Sequence, residues 1–510
     1  MKLFKRLVSV GVITILSRLL SCVRDVYIAY SFGVCNETDA FFIAFKIPNF
    51  FRRVFSEGAF SQVLIPILSK IKNKKKLKEI KKVLSGILGL VIFLLSIITL
   101  LGIFNSRKLV LLIAPGFLDD HKKLELTIKL LTVTFPYMFF VSITIFISSI
   151  LNAWNYFIIP SFSPIILNIS VISSIFFISD FFDPPILSMA WGIVVSGVIQ
   201  FLYQIPLLKK INMFIVPSIN IFNVKTLRIL KKMSLSVFSV SINQISLVIN
   251  SIVSSLLVSG SISWVYYAER LIEFPSGILS FSISTIVLPL LSKKINFSTL
   301  KKSKKVINWA LKITIIFSFP SSIALIILSK YFVLSLFQYG KFTFYDTLMT
   351  QKVLIFYSIG LVAFIINKIF FLVFYSINDI KTPTSISLVS FFLTQILNLI
   401  LIPYFQHSGF ALSISISSWI SILISYLKLS EKRLLCFQYD WVCFLFKVTL
   451  SVFFMSILML IMLHFFSYYF FLKMMNRLII LFIICLIGII GYFSFLFLLG
   501  ICFSVFFCKF

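Results

Sequence analysis

The chain is dominated by apolar segments that are long enough to cross a lipid bilayer. A transmembrane helix needs about 20 mainly apolar residues, and about fourteen such segments recur between positions 7 and 505. Hydrophobic residues make up 60% of the 510 positions and charged residues only 12%, whereas a soluble protein carries about 25% charged residues. The sequence therefore predicts an all-α polytopic membrane protein with about 14 transmembrane helices.

Basic residues lie mainly in the loops that follow even-numbered spans. Lysine and arginine outnumber aspartate and glutamate by 47 to 16. The clusters lie in 70–82, 209–232, 293–305 and 428–433. Such loops stay in the cytoplasm under the positive-inside rule, which predicts that both termini are cytoplasmic. No soluble basic domain or aromatic platform is evident, and this argues against binding of nucleic acid.

An internal repeat divides the chain. Residues 65–70 (IPILSK) recur as 288–293 (LPLLSK), and Ala44 and Asn155 recur as Ala268 and Asn378 at nearly the same offset. We expect two parallel six-helix repeats that form two lobes around a central cavity. The N-terminal lobe is 1–208 (spans 1–6), the C-terminal lobe is 209–430 (spans 7–12), and 431–510 adds two helices. Transporters built from two such halves bind cargo between them near mid-membrane.

Charged side chains inside the spans are the main clue to function, because an arginine costs about 2.5–3.5 kcal/mol at a helix centre. Residues three, four and seven apart share a helix face. The polar stripes are Arg18 and Asp25 with Ser17 and Arg24 alongside; Asp39, Lys46, Arg53 and Glu57; and Ser263, Arg270 and Glu273, with Arg52 and Glu269 nearby. The surplus of cations predicts a polar cavity for an anionic phosphate, which guanidinium groups bind in bidentate fashion. The alternative is that these charges pair with one another or extend to the lipid headgroups.

Two further groups of residues are less informative. Lys368 is an isolated cation in span ten, for which we predict a role in the cavity or in coupling. The histidines are expected to be exposed and without a role; they are His121, His407 and His464.

Several sequence patterns of known catalysts are missing from the chain. There is no phosphate-binding glycine loop with its lysine, no nucleophile elbow and no metal-protease helix. The sequence therefore predicts a transporter and not an enzyme, with no cofactor and no metal site. Energy would come from a gradient, a membrane potential or the cargo's own concentration difference, and the coupling ion is left open.

Short polar motifs between and within the spans indicate a family. They are residues 17–18 (SR), 24–25 (RD), 38–42 (TDAFF), 48–49 (PN), 52–53 (RR), 57–62 (EGAFSQ), 114–117 (APGF), 152–155 (NAWN), 266–270 (YYAER), 273–277 (EFPSG), 337–340 (FQYG) and 379–383 (DIKTP). In these runs the chain resembles the MurJ (MviN) lipid II flippases of the multidrug/oligosaccharidyl-lipid/polysaccharide exporter superfamily. The resemblance spans most of the chain and weakens in the final two helices.

The resemblance implies a set of site residues. Substrate-binding positions would be Arg18, Arg24, Arg52, Arg270, Asp39, Ser263 and Glu273. The polar stripes and the isolated cation of span ten add supporting or gating positions: Ser17, Asp25, Lys46, Arg53, Glu57, Glu269 and Lys368. Glu269 stands where many relatives have aspartate. The two appended helices in 431–510 would form a groove for the lipid tail.

The resemblance also implies a function. The protein would carry lipid II, the undecaprenyl-pyrophosphate-linked peptidoglycan precursor with its sugars and peptide, from the inner to the outer leaflet of the bacterial inner membrane. Its partners would be lipid II and membrane lipids, with cell-wall synthesis proteins as further candidates. The alternatives are a flippase for O-antigen or another polyprenyl-oligosaccharide, a cation-coupled drug exporter, and a non-transporting scaffold for cell-wall enzymes.

Overall fold

The computed structural model describes residues 2–55, 64, 68, 77–218, 244–246, 248–291, 297–377, 379–432, 434–435, 440–466 and 474–501. These residues form helices and connecting turns without a β-strand, which confirms the predicted all-α class. They belong to two compact units, Met1–Ser263 and Trp264–Phe510. The lobe boundaries predicted at 208/209 and 430/431 stay predictions.

The first unit contains seven named helices and the start of an eighth. They are α1 (Lys2–Phe32), α2 (Asn36–Arg53), α3 (Leu77–Phe104), α4 (Ser106–Ile113), α5 (His121–Ala153), α6 (Ser163–Ile178), α7 (Leu187–Lys210) and the first turn of α8 (Ser261–Leu291). Helix α5 packs against α2, α3 and α7, while α6 packs against α1 and α7. Helix α5 is therefore the central helix of this unit.

The second unit contains the rest of α8 and seven further helices. They are α9 (Phe297–Ile327), α10 (Ser329–Leu336), α11 (Phe344–Ser376), α12 (Lys381–Phe405), α13 (Gly409–Glu431), α14 (Asp440–Phe466) and α15 (Met474–Leu498). Helix α11 packs against α9, α10 and α13, and the appended α14 and α15 pack on each other and on α9 and α10. One apolar core joins α9, α11, α14 and α15, so the appended helices are an integral part of this unit.

The predicted repeat is visible in the order and length of the helices. Helices α5 and α11 both have 33 residues. Their first residues, 121 and 344, lie 223 positions apart, and so do their last, 153 and 376. The short helices α4 and α10 obey the same offset, since they begin at 106 and 329 and end at 113 and 336. In each of these two long helices, 67% of the most apolar stretch of 18 residues is buried. Each repeat therefore has its own buried long helix at the same place in the helix order.

Within the described ranges, nine helices are long and apolar enough to cross a membrane. One of them, Lys381–Glu431, combines α12 and α13 across a short turn at Gln406–Ser408. The chain is therefore a multi-pass membrane protein, and the total of about fourteen spans stays a prediction. The fourth apolar segment of the sequence predicts a span over 127–151, whereas helix α5 begins at His121, because hydropathy detects the apolar part of a helix and misses its charged first turns.

Candidate functional site

Arg24 is held inside the first unit by groups from two helices. Its Nε and Nη2 atoms lie 3.0 and 2.7 Å from Oδ1 of Asp25, and its Nη1 donates to Oδ1 of Asn168 at 3.0 Å. Asn168, on α6, donates in turn to the backbone carbonyl of Ser17 at 3.1 Å. The side chain of Arg24 is only 11% exposed, so this network fixes a guanidinium within the helical bundle.

Arg52 and Arg24 are brought near one buried hydroxyl. Nε of Arg52 donates to Oδ1 of Asn49 at 2.9 Å. The hydroxyl of Tyr137, on α5, lies within electrostatic range of both Arg52 and Arg24. Tyr137 is 1% exposed. Two of the predicted substrate-binding arginines, one from α1 and one from α2, therefore share a polar environment in the first unit.

Lys46 and Asp39 anchor α2 to the segment that precedes α8. Nζ of Lys46 donates to Oγ of Ser251 at 2.7 Å. Oδ2 of Asp39 accepts from the backbone N–H of Gly260 at 2.7 Å, and Oδ1 accepts from the backbone N–H of Ser263 at 3.0 Å and from its hydroxyl at 2.7 Å. Asp39 therefore caps the N-terminus of α8, where N–H groups lack helical partners.

A buried lysine neutralises Asp39. Nζ of Lys123, on α5, lies 3.0 Å from Oδ2 of Asp39, and the two side chains are 7% and 1% exposed. The same ammonium lies 4.3 Å from the centre of the Phe117 ring. The contacts of Asp39 within the first unit are thus all made with the protein's own groups, and its predicted role in substrate binding stays a prediction.

Three other predicted residues of the first unit are partly buried. Arg18 and Ser17 are half-buried on α1, and Arg53 is half-buried at the end of α2. Glu57 lies outside the described residues.

In the second unit, Arg270 and Glu273 form an ion pair on α8. Nη1 of Arg270 lies 2.6 Å from Oε2 of Glu273, with side-chain exposures of 28% and 50%. The guanidinium also lies 4.6 Å from the centre of the Tyr266 ring. The neighbouring Glu269 accepts a hydrogen bond of 2.8 Å from the hydroxyl of Tyr357, on α11.

Lys368 and the histidines also have defined positions. Lys368 is exposed on α11, as are His121 and His464 on their helices. The prediction of an exposed histidine is wrong for His407, which is 3% exposed. Its ring lies 4.9 Å from that of Trp264 and its Nε2 is 3.3 Å from the carbonyl of Met349, because the short turn at Gln406–Ser408 folds inward.

The motif at 379–383 has a structural role at a helix start. The backbone N–H and hydroxyl of Thr382 donate to the carboxylate of Asp379 at 3.0 and 2.7 Å, and Lys432 pairs with the same carboxylate. Burial alone would raise the pKa of Asp379, but the hydrogen bonds from Lys432 and Thr382, with the lysine's charge, lower it to about 2. The carboxylate therefore stays ionised at neutral pH and ties the start of α12 to the end of α13.

Sequence reasoning missed four partners of the site: Lys123, Asn168, Ser251 and Tyr357. Lys123 sits in a run of mixed charges that resembles an ordinary loop. Asn168 and Tyr357 lie inside apolar spans, where an isolated polar side chain is a usable signal for a contact between helices.

The fold and the site define a class of protein. Two units with matching helix order, carrying basic side chains within their spans, are typical of multi-span transporters. A solved inward-facing multidrug transporter of the MATE family and MOP superfamily has a similar fold, with a TM-score of 0.65 at 14% identity over 84% of this chain and 98% of that one.

Closer similarities identify the family. The sequence model of the family "Lipid II flippase MurJ" matches residues 28–481. A probable lipid II flippase MurJ from Buchnera aphidicola subsp. Baizongia pistaciae is 47% identical and covers 100% of this chain and 99% of its own length. The lipid II flippase MurJ of Burkholderia cenocepacia is 36% identical over 85% of this chain and 84% of its own. The chain belongs to the lipid II flippase MurJ family.

A solved structure of a family member agrees with this assignment. The lipid II flippase MurJ in an inward closed conformation superimposes with a TM-score of 0.81 at 29% identity, covering 95% of this chain and 97% of that one. Family membership assigns the chain to transporters and not to a family of catalysts.

Proposed function

We propose that this protein is a lipid II flippase, which moves the undecaprenyl-pyrophosphate-linked peptidoglycan precursor from the inner to the outer leaflet of the bacterial inner membrane. The observation that carries the proposal is membership of the MurJ family over nearly the whole chain. The arginines of α1 and α2 supply the chemistry that such a cargo needs, since planar guanidinium groups bind phosphate oxygens through paired hydrogen bonds.

The acids beside the arginines act as internal counter-ions in this mechanism. Asp25 accepts two hydrogen bonds from Arg24, and Glu273 accepts one from Arg270. These pairs reduce the penalty of holding a cation among apolar helices. A diphosphate offers more acceptor oxygens and more charge than one carboxylate, so it competes for the same N–H groups when cargo enters.

Movement across the membrane then follows by alternating access, in which the parts of a repeat transporter rock around a fixed site. The sugars and peptide of the cargo travel through the polar region while the tail stays in lipid, against the appended helices α14 and α15. No cofactor enters the mechanism, and the membrane potential is the proposed source of energy. Both termini lie in the cytoplasm in this scheme, and the partners are lipid II, membrane lipids and cell-wall synthesis proteins.

The direct test is conditional depletion combined with an assay that reports lipid II in each leaflet. Depletion should leave lipid II on the cytoplasmic side and cause lysis. Complementation with Arg24→Lys should restore transport poorly, because an ammonium cannot make the separate contacts of the guanidinium to Asp25 and Asn168. Arg107→Lys is the matched control, since Arg107 is exposed on α4.

Two results would count against the proposal. Loss of a surface glycan with normal lipid II transport would indicate a flippase for another polyprenyl-linked oligosaccharide. Full transport by Arg24→Lys and Arg24→Ala at normal membrane levels would remove this arginine from the mechanism.

A further inference from the structure

A cleft of about 760 Å³ opens in the first unit where three loops meet. It lies between the start of α2 at Asn36, the start of α5 at Asp120 and the loop before α7 at Pro184. Asn36 and Asp120 hydrogen-bond to each other at 3.0 Å, which holds two of these loops together. The volume is within the range of about 300–1,000 Å³ that small-ligand sites occupy.

Charged side chains of both signs line this cleft. Lys122, Glu125 and Lys129 follow one another on one face of α5, at the spacing that aligns side chains along a helix, and Glu37 lines the cleft from α2. None of these four side chains has an ion pair or a side-chain hydrogen bond with another residue of the described ranges. Two carboxylates and two ammonium groups therefore line the same cleft without forming ion pairs with one another.

Two further charged residues line the cleft, Lys123 and Asp120, and together with the buried Asp39 they add one negative charge. The ammonium of Lys123 is already paired with Asp39 at 3.0 Å. Asp120 accepts hydrogen bonds from Asn36 and from the backbone N–H of Lys123. The charges available to a ligand are thus two ammonium groups and three carboxylates, so the cleft offers both signs.

We propose that this cleft binds the peptide portion of the cargo as it reaches the outer face of the membrane. The inference rests on the proposed function. The three loops follow odd-numbered predicted spans, on the side opposite the lysine-rich loops, which is the release side. A peptide that carries both carboxylate and ammonium groups matches a rim with both signs, whereas a diphosphate or a sugar offers no cation for Glu37 and Glu125.

The test uses the purified full chain in vesicles of neutral phospholipid at low ionic strength, with two probes. One is lipid II with its peptide, and the other is the same diphosphate-linked disaccharide lipid without the peptide. The variants are Glu125→Lys and Lys129→Glu, both at exposed positions. Lys108→Glu is the matched control, because Lys108 is exposed on α4 and does not line the cleft.

Both cleft variants should slow flipping of the peptide-bearing lipid by about two- to fivefold, the factor expected for the loss of one or two exposed ion pairs. Neither should change flipping of the lipid without peptide, and the control should change neither rate. The effect should shrink at high salt, since salt screens exposed charges.

Three results would overturn the inference. The first is an equal effect of each variant on both probes. The second is opposite effects of Glu125→Lys and Lys129→Glu, which would indicate a ligand of one charge. The third is unchanged flipping with a growth defect in cells, which would indicate a protein partner. Wild-type protein that flips neither probe would refute the proposed function itself, which is a separate outcome.

Discussion

Asp39 shows how a single charge is accommodated inside the first unit. Its carboxylate is 1% exposed and meets one ammonium, two backbone N–H groups and one hydroxyl. A buried carboxylate needs this number of partners because desolvation otherwise disfavours the ionised form. The contacts tie α2 to α5 and to the first turn of α8, so the residue connects elements that are distant in sequence.

Removal of Lys123, the buried partner of Asp39, should therefore strongly destabilise the fold. Lys123→Met leaves Asp39 as an uncompensated buried charge, and breaking a buried pair in this way costs about 3–5 kcal/mol. We expect a clearly lower thermal unfolding temperature for the detergent-solubilised protein. The double variant Lys123→Met with Asp39→Asn should recover part of the loss, because no buried charge remains. Lys122→Met is the control at an exposed neighbour, and equal effects of the two methionine variants would refute the argument.

At the scale of elements, close backbone approach explains the glycine of the motif at 114–117. A Cβ atom on Gly116 would lie 2.1 Å from the carbonyl oxygen of Ser255 and 2.8 Å from the backbone nitrogen of Leu256. Both neighbours are backbone atoms, which cannot rotate away as a side chain can. The N–H of Gly116 also donates to Oγ of Ser255 at 3.2 Å. The loop before α5 therefore packs directly against the backbone at Ser255 and Leu256.

Gly116→Ala should force the two segments apart. Overpacking of this kind typically costs about 1–3 kcal/mol, which we expect as a lower unfolding temperature and weaker protease resistance. Gly11→Ala is the matched control, since a Cβ at Gly11 meets no atom within 4 Å. Because alanine favours helix over glycine by about 1 kcal/mol, the control should be neutral or slightly stabilising. Identical losses for both variants would contradict the explanation.

For the whole molecule, the sequence predicts the architecture better than it predicts the contacts between side chains. Apolar length, the loop charges and the repeated LPLLSK-type motif are local patterns, and they predict the all-α class and the duplicated helices. The arginine positions are equally visible, because charge is rare in apolar spans. The partners of the charged side chains are not visible in the sequence. Lys123 contacts Asp39 and Asn168 contacts Arg24 across 84 and 144 positions, respectively. Only the packing of α5 on α2 and of α6 on α1 brings those side chains together.

The charge of the cargo leads to a prediction for the complete transport cycle. A membrane potential contributes about 2.3 kcal/mol per elementary charge per 100 mV. An inside-negative potential favours outward movement of an anionic headgroup and inward return of an empty, cation-rich site. We expect vesicles with an imposed inside-negative potential to flip lipid II outward faster than depolarised vesicles. A protein-free vesicle under the same potential is the control, and equal rates with the protein would exclude the potential as the energy source.

The two 33-residue helices have a consequence for how the protein meets its bilayer. At 1.5 Å per residue each is about 50 Å long, while the hydrocarbon layer is only about 30 Å thick. Helices α5 and α11 must therefore tilt or project into the headgroup region, and the first turns of each include charged side chains. The protein should then tolerate bilayers of different thickness. The membrane–water boundary would move along these helices, with little distortion of the surrounding lipid.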